Sequence, residues 1–164
     1  MAWRSYTNPQ ERLLACLPYL LPMVVSLVFG VFVFQQFPQL TFLLRLLEPI
    51  MPLAQGIPGL VIFFMLYALV VRNSQISHFI RFNTMQALLV DLGLSIMSFL
   101  FSLFNIAANA LLTNPAGFLL VSTLASTLFL GTLIIVFYSW VMIVQGKYPE
   151  VPVISEAAQY HVGY

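Results

Sequence analysis

The sequence predicts an all-α polytopic membrane protein, with four transmembrane helices and a short interfacial helix between the first and second. Three observations carry that expectation. The 164 residues are 61% hydrophobic and 7% charged, where an ordinary soluble domain is about 25% charged. Six basic and five acidic side chains cannot clothe a soluble globule of this length. No charge occurs between Arg12 and Arg45, between Glu48 and Arg72, or between Asp91 and Lys147, and about 18 apolar residues suffice to cross a bilayer as a helix. Finally, the apolar runs are continuous. Barrel strands are alternating segments of about ten residues, so these runs must satisfy their backbone hydrogen bonds as helices.

The first span covers 13–34. Arg4 and Arg12 ahead of an apolar run resemble the head of a secretory signal peptide. The run, however, exceeds the roughly 7–15 residues of a signal h-region, and it enters Phe37 and Pro38 with no small-residue cleavage site. It reads as an uncleaved helix, kinked at Pro18 and Pro22. In PQLTFLLRLLEP, Thr41, Arg45 and Glu48 recur at spacings of four and three among leucines. This narrow polar stripe, bounded by Pro38 and Pro49, fits an interfacial helix over 39–48; a re-entrant segment is the weaker alternative. The second span covers 57–71 and closes at Arg72. The third covers 79–104, reaching as far as 112, and the turn TNPAG leads to the fourth over 118–144. The tail, 147–164, is polar enough to lie outside the bilayer, and its two prolines favour an extended start. The whole chain, 1–164, is one integral membrane domain.

Four spans put both termini and the loop between the second and third spans on one side. That side carries Arg4, Arg12, Arg72, Arg81 and Lys147, while the other carries Arg45 alone. The positive-inside bias therefore places both termini in the cytoplasm, or in the stroma of a plastid.

Composition also excludes functions. A net charge of +1 with no basic run offers nucleic acid no electrostatic footprint. One cysteine, Cys16, precludes an internal disulfide or a thiolate metal cluster. His78 and His161 have no metal-ligand spacing, and no phosphate loop or nucleophile–base pair is present. Asp91 is the sole aspartate, so no catalytic aspartate pair exists. No enzyme, metal or cofactor is expected.

The candidate site is the third span. Thr84, Asp91, Ser95, Ser98, Ser102, Asn105 and Asn109 are spaced by seven, four, three, four, three and four residues. At about 100° per residue they share a narrow helix face. Asp91 lies ten residues past Arg81, about 15 Å deeper at 1.5 Å per residue. An acid exposed to lipid there costs about 2.5–3.5 kcal/mol, so it must face protein or water. Two readings stand: the stripe lines a polar cavity or pathway, or its hydroxyls and amides bond neighbouring helices together. Ser122 and Ser126 of the fourth span suit close helix packing. Arg72, His78 and Arg81 read as interfacial anchors. Asn83 and Gln86 lie on another face and are placed near the headgroups.

Two segments carry a resemblance. RFNTMQALLVD, Arg81 to Asp91, and GKYPEVPVISEAAQ, Gly146 to Gln159, resemble the signature segments of the family of the 20-kilodalton subunit of the chloroplast inner-envelope translocon (TIC). ERLLACLPYLLPM resembles that family's entry into its first span. The resemblance covers essentially all of the chain. It implies a four-helix component of the machinery that moves preproteins across the inner envelope, acting with other translocon subunits. Only a dozen residues precede the first span, which points to a cyanobacterial or plastid-encoded member without a transit peptide. A bundle of four helices is thin for a protein-wide pore, so a conducting path needs partners or further copies of the chain. A small-solute transporter and a membrane scaffold are the competing classes. The first predicts broken helices or repeated halves at a midplane site, and the second predicts no contact with the cargo.

Overall fold

The computed structural model describes residues 8–112 and 114–162, and among these all side chains except those of 104–112. The described residues form helices α1 (Pro9–Gln36), α2 (Phe42–Leu47), α3 (Met51–Ala54), α4 (Gly56–Val71), α5 (His78–Leu112), α6 (Pro115–Val144) and α7 (Ile154–Val162). Three stretches, Pro9–Gln36, His78–Leu103 and Pro115–Val144, are long and apolar enough to cross a membrane. The chain is an integral membrane protein. The stretch expected as the second span is shorter. Its eleven α-helical and five π-helical residues extend about 24 Å, against about 30 Å of hydrocarbon.

α1 is the centre of the bundle. It tightens into 3₁₀ turns at Leu17–Tyr19 and Leu27–Gly30. The first contains Pro18, whose ring cannot donate to the preceding turn. α5 runs parallel to α1: Tyr19 lies beside Asn83, and further along Phe29 meets Phe101 edge-on with centroids 5.5 Å apart. α6 runs antiparallel. Phe32 packs on Phe118 and Phe34 on Phe129, at 5.6 and 5.2 Å. At its other end Trp140 Nε1 donates to the Cys16 carbonyl at 3.1 Å, and the Arg12 guanidinium donates to the Val144 carbonyl at 2.8 Å. Gly30 permits this seam: a Cβ there would stand 2.6 Å from the Phe34 ring and 3.2 Å from that of Phe129.

These pairings give the bundle two ends. The near end holds the starts of α1 and α5 and the finish of α6, together with Arg12, Arg81 and Lys147. The far end holds Gln36 and Pro115. α6 starts there with Pro115 in its first turn, and the Asn114 side chain accepts from the Ala116 N–H at 3.2 Å, an N-cap on an otherwise unpaired donor.

The connector runs inward after the stretch expected as an interfacial helix. α2 forms within the predicted stretch, but the following residues do not stay at the far end. α3 packs against Leu20–Ser26, halfway along α1, and Leu47 and Ala54 are buried in the core. The turn from α3 into α4 is tight. Gly56 adopts φ +61°, and a Cβ on Gly59 would lie 2.5 Å from the Ala54 carbonyl oxygen. α4 then runs to the near end. Its outer face, with Ile57, Leu60, Phe64 and Leu69, is exposed.

α7 is the element that the sequence reading lacked. The tail begins extended, as its prolines suggest, then forms a helix folded against the start of α5. Ala158 and Val162 are buried there.

Candidate functional site

α5 changes character along its length. From His78 to Asp91 it is wrapped by α1, by the end of α4 and by α7. Phe79, Phe82, Asn83, Thr84, Gln86, Ala87 and Leu88 are each no more than 2% exposed. Past Asp91 the cover falls away, and Leu92, Ile96, Phe99 and Leu103 are open.

The polar stripe follows this change. Thr84 is fully buried and Asp91 is 8% exposed. Ser98 is half-buried, while Ser95 and Ser102 are exposed, facing out of the chain rather than into a neighbouring helix. Asn105 and Asn109 lie outside the described side chains. The stripe therefore starts inside the bundle and emerges on its surface. Ser122 and Ser126 are half-buried on α6, and the Ser122 hydroxyl donates back to the Leu119 carbonyl of its own helix at 3.2 Å.

Asn83 and Gln86 are wholly buried rather than lying among headgroups, because α7 and α1 cover the faces that periodicity leaves open. Asn83 is satisfied: its amide donates to the Phe79 carbonyl at 2.8 Å, and its Oδ1 accepts from the Tyr19 hydroxyl at 3.5 Å. Gln86 is not. Its Nε2 and Oε1, with Thr84 Oγ1 and Asp91 Oδ1, make no hydrogen bond to any described residue. An unsatisfied buried polar group costs about 1–3 kcal/mol. Gln86→Met keeps the shape and removes the amide. It is expected to raise stability by about 1–3 kcal/mol, read as a higher midpoint of thermal unfolding in detergent.

The three residues read as anchors divide. Arg72 is exposed beyond the end of α4. Arg81 ties two helices: its Nε donates to the Val71 carbonyl at 2.8 Å and its Nη2 to the Val162 carbonyl at 3.1 Å. Both acceptors are at helix C-termini, where the backbone dipole favours a cation. His78 flanks a ring cluster in which Tyr148 meets Phe79 and Phe82 edge-on, with centroids 5.1 and 5.2 Å apart. The Tyr148 hydroxyl and His78 Nδ1 are hydrogen-bonded at 3.1 Å. Burial pushes the Tyr148 phenol up, helped by the Glu11 carboxylate, so it stays protonated. Tyr19 and Tyr148 escaped the sequence reading, because a single phenol, in an apolar run or in a polar tail, carries no spacing signal.

Among the described residues no group of histidine, cysteine and carboxylate side chains is placed to hold a metal ion. What the site offers is hydrogen bonding along one helix face, partly sealed inside the bundle and partly open to a neighbour.

The described chain has clear relatives. The family model for the chloroplast import apparatus, Tic20-like, matches residues 6–158. A Tic20 family protein of Synechocystis sp. is 38% identical over 170 residues, covering 100% of both chains. Protein TIC 20-v, chloroplastic, of Arabidopsis thaliana is 31% identical, covering 94% of this chain and 72% of that protein. The Tic20 family protein Ycf60 of Porphyra purpurea is 33% identical, covering 98% and 80%. Matched along nearly all its length by the family model and by relatives from cyanobacteria, red algae and plants, the chain belongs to the Tic20 family.

Proposed function

We propose that this chain is a membrane subunit of a protein-translocating machine, and that the polar face of α5 lines part of the route taken by the translocating polypeptide. The relatives support the first half, since the family is described as chloroplast import apparatus. The second half rests on one observation. Thr84 Oγ1 and Asp91 Oδ1 are buried without a partner, and the same helix face continues outward through Ser95 and Ser102. Neither buried atom has a hydrogen-bond partner among the described residues. An extended polypeptide in transit carries unpaired N–H and C=O groups that need such partners.

In this reading the chain makes four crossings, with the connector and α4 together forming the second. Both termini face the cytoplasm or stroma, on the side of Arg12, Arg72, Arg81 and Lys147. The open half of α5 meets other translocon subunits or further copies of the chain, which complete the route. Replacing Ser95, Ser98 and Ser102 together by leucine tests this. Transit of a preprotein is expected to slow with complex assembly intact. Unchanged transit would refute the lining role, and lost assembly would make the stripe an adhesive surface for a partner.

A further inference from the structure

We infer that the second membrane crossing is broken at Gln55–Gly56, and that this break stands in water, in a vestibule that enters from the far end of the bundle to about half its depth. The inference rests on the four-crossing reading proposed above, and it holds or fails independently of the role given to the α5 stripe.

Depth follows from packing. α1 spans the bundle from Pro9 at the near end to Gln36 at the far end, and α3 sits against its middle, Leu20–Ser26. From Phe37 the chain therefore travels inward, and α4 begins where α3 leaves off. α4 finishes at the near end, where the Val71 carbonyl takes the Arg81 bond. Its length of about 24 Å covers the remaining distance. The outer part of the crossing is thus made by 37–55, a segment holding Pro38, Pro49 and Pro52 together with Arg45, Glu48 and Gln55.

This segment is a poor neighbour for lipid. Gln55 is extended, with φ −117° and ψ 156°, Gly56 is left-handed, and both are exposed. The first N–H groups of α4 have no intrahelical acceptor, as at any helix start. In hydrocarbon each unsatisfied backbone group costs several kcal/mol, so irregular backbone at this depth survives only inside protein or against water. This chain's own described residues do not enclose it, because Gln55, Gly56 and Leu53 are all exposed. Arg45 and Glu48, exposed on the same inward-running segment, call for water rather than an apolar partner.

Cysteine accessibility tests this in proteoliposomes of the full chain carrying Cys16→Ala, with a charged, membrane-impermeant maleimide supplied on both faces. Single cysteines replace Leu53, Gln55, Leu60 and Phe64. Leu53, Leu60 and Phe64 are 54%, 59% and 64% exposed, so protein cover does not distinguish them. Hydration does, because only the thiolate reacts and it forms only in water. Q55C and L53C are expected to react at least about a hundredfold faster than L60C and F64C, because charge enters hydrocarbon so reluctantly. Equal, slow labelling at all four positions would overturn the inference, since the break would then be sealed in lipid. Fast labelling at all four would overturn it too, because α4 would not be in the bilayer. L53C keeps the test decisive if Gln55→Cys fails to fold, since composition alone assigns that leucine to lipid.

Discussion

An Asp91→Leu protein is expected to fold and assemble but to pass substrate at least about tenfold more slowly, a rise of about 1.4 kcal/mol in the barrier. Asp91 is 8% exposed and its Oδ1 has no partner among the described residues. Holding such an acid in the membrane costs about 2.5–3.5 kcal/mol on insertion scales. Leucine removes that cost but is bulkier than aspartate, so Asp91→Asn, which keeps the volume and removes the charge, is read beside it to separate a loss of transit from overpacking. Comparing preprotein transit with assembly on native gels checks the expectation. Normal transit with normal assembly would remove Asp91 from the route. Loss of assembly alone would make it part of a helix–helix contact.

Arg81→Ala is expected to release α7. Two bonds hold that helix and the end of α4 to a single guanidinium, at 3.1 and 2.8 Å. Hydrogen bonds to a charged group contribute about 1.5–3 kcal/mol each, so tail docking, which loses the Val162 bond, should weaken by about 1.5–3 kcal/mol. Lys147, the single lysine of the chain, precedes the Tyr148 ring held between Phe79 and Phe82. Lysyl endopeptidase can then report the opening. If cleavage follows the population of the released tail, it should accelerate about ten- to a hundredfold. Arg81→Lys should restore little, because a lysine head lacks the planar fork that meets two carbonyls at once. Cleavage at an unchanged rate would show that the aromatic cluster alone docks the tail.

The long helices were legible for a simple reason: in lipid, an uninterrupted apolar run has one way to satisfy its backbone. α1, α5 and α6 follow directly from the charge-free stretches between Arg12 and Arg45 and between Asp91 and Lys147. Depth was not legible in the connector. The stripe of Thr41, Arg45 and Glu48 fits a surface helix, but nothing in the sequence shows that the residues after it, α3, pack halfway down α1. That difference arises from the Gly56 turn and the close approach of Gly59 to Ala54, which leave no periodic trace. The α5 stripe was legible as a face, because its spacing is helical. Which part of it is covered was not, because the cover comes from α7, which lies more than sixty residues further along the chain. The same distant helix turns Asn83 and Gln86 from headgroup neighbours into core residues, and Arg81 from an anchor into a tie. Tertiary contact decides such roles, and a helical period carries no information about it.

The account stands most directly on whether a polypeptide in transit touches the open half of α5. A photo-crosslinking residue placed in turn at Ser95, Ser102, Ile96 and Leu100, with a preprotein arrested in the membrane, measures this. Ser95 and Ser102 lie on the Asp91 face, and Ile96 and Leu100 on the opposite one, about 100° per residue away along the helix. All four are exposed. Adducts to the preprotein are expected from Ser95 and Ser102, with Ile96 and Leu100 reporting lipid or a neighbouring subunit. Preprotein adducts absent from both serines, or equally strong from both faces, would contradict the proposed route.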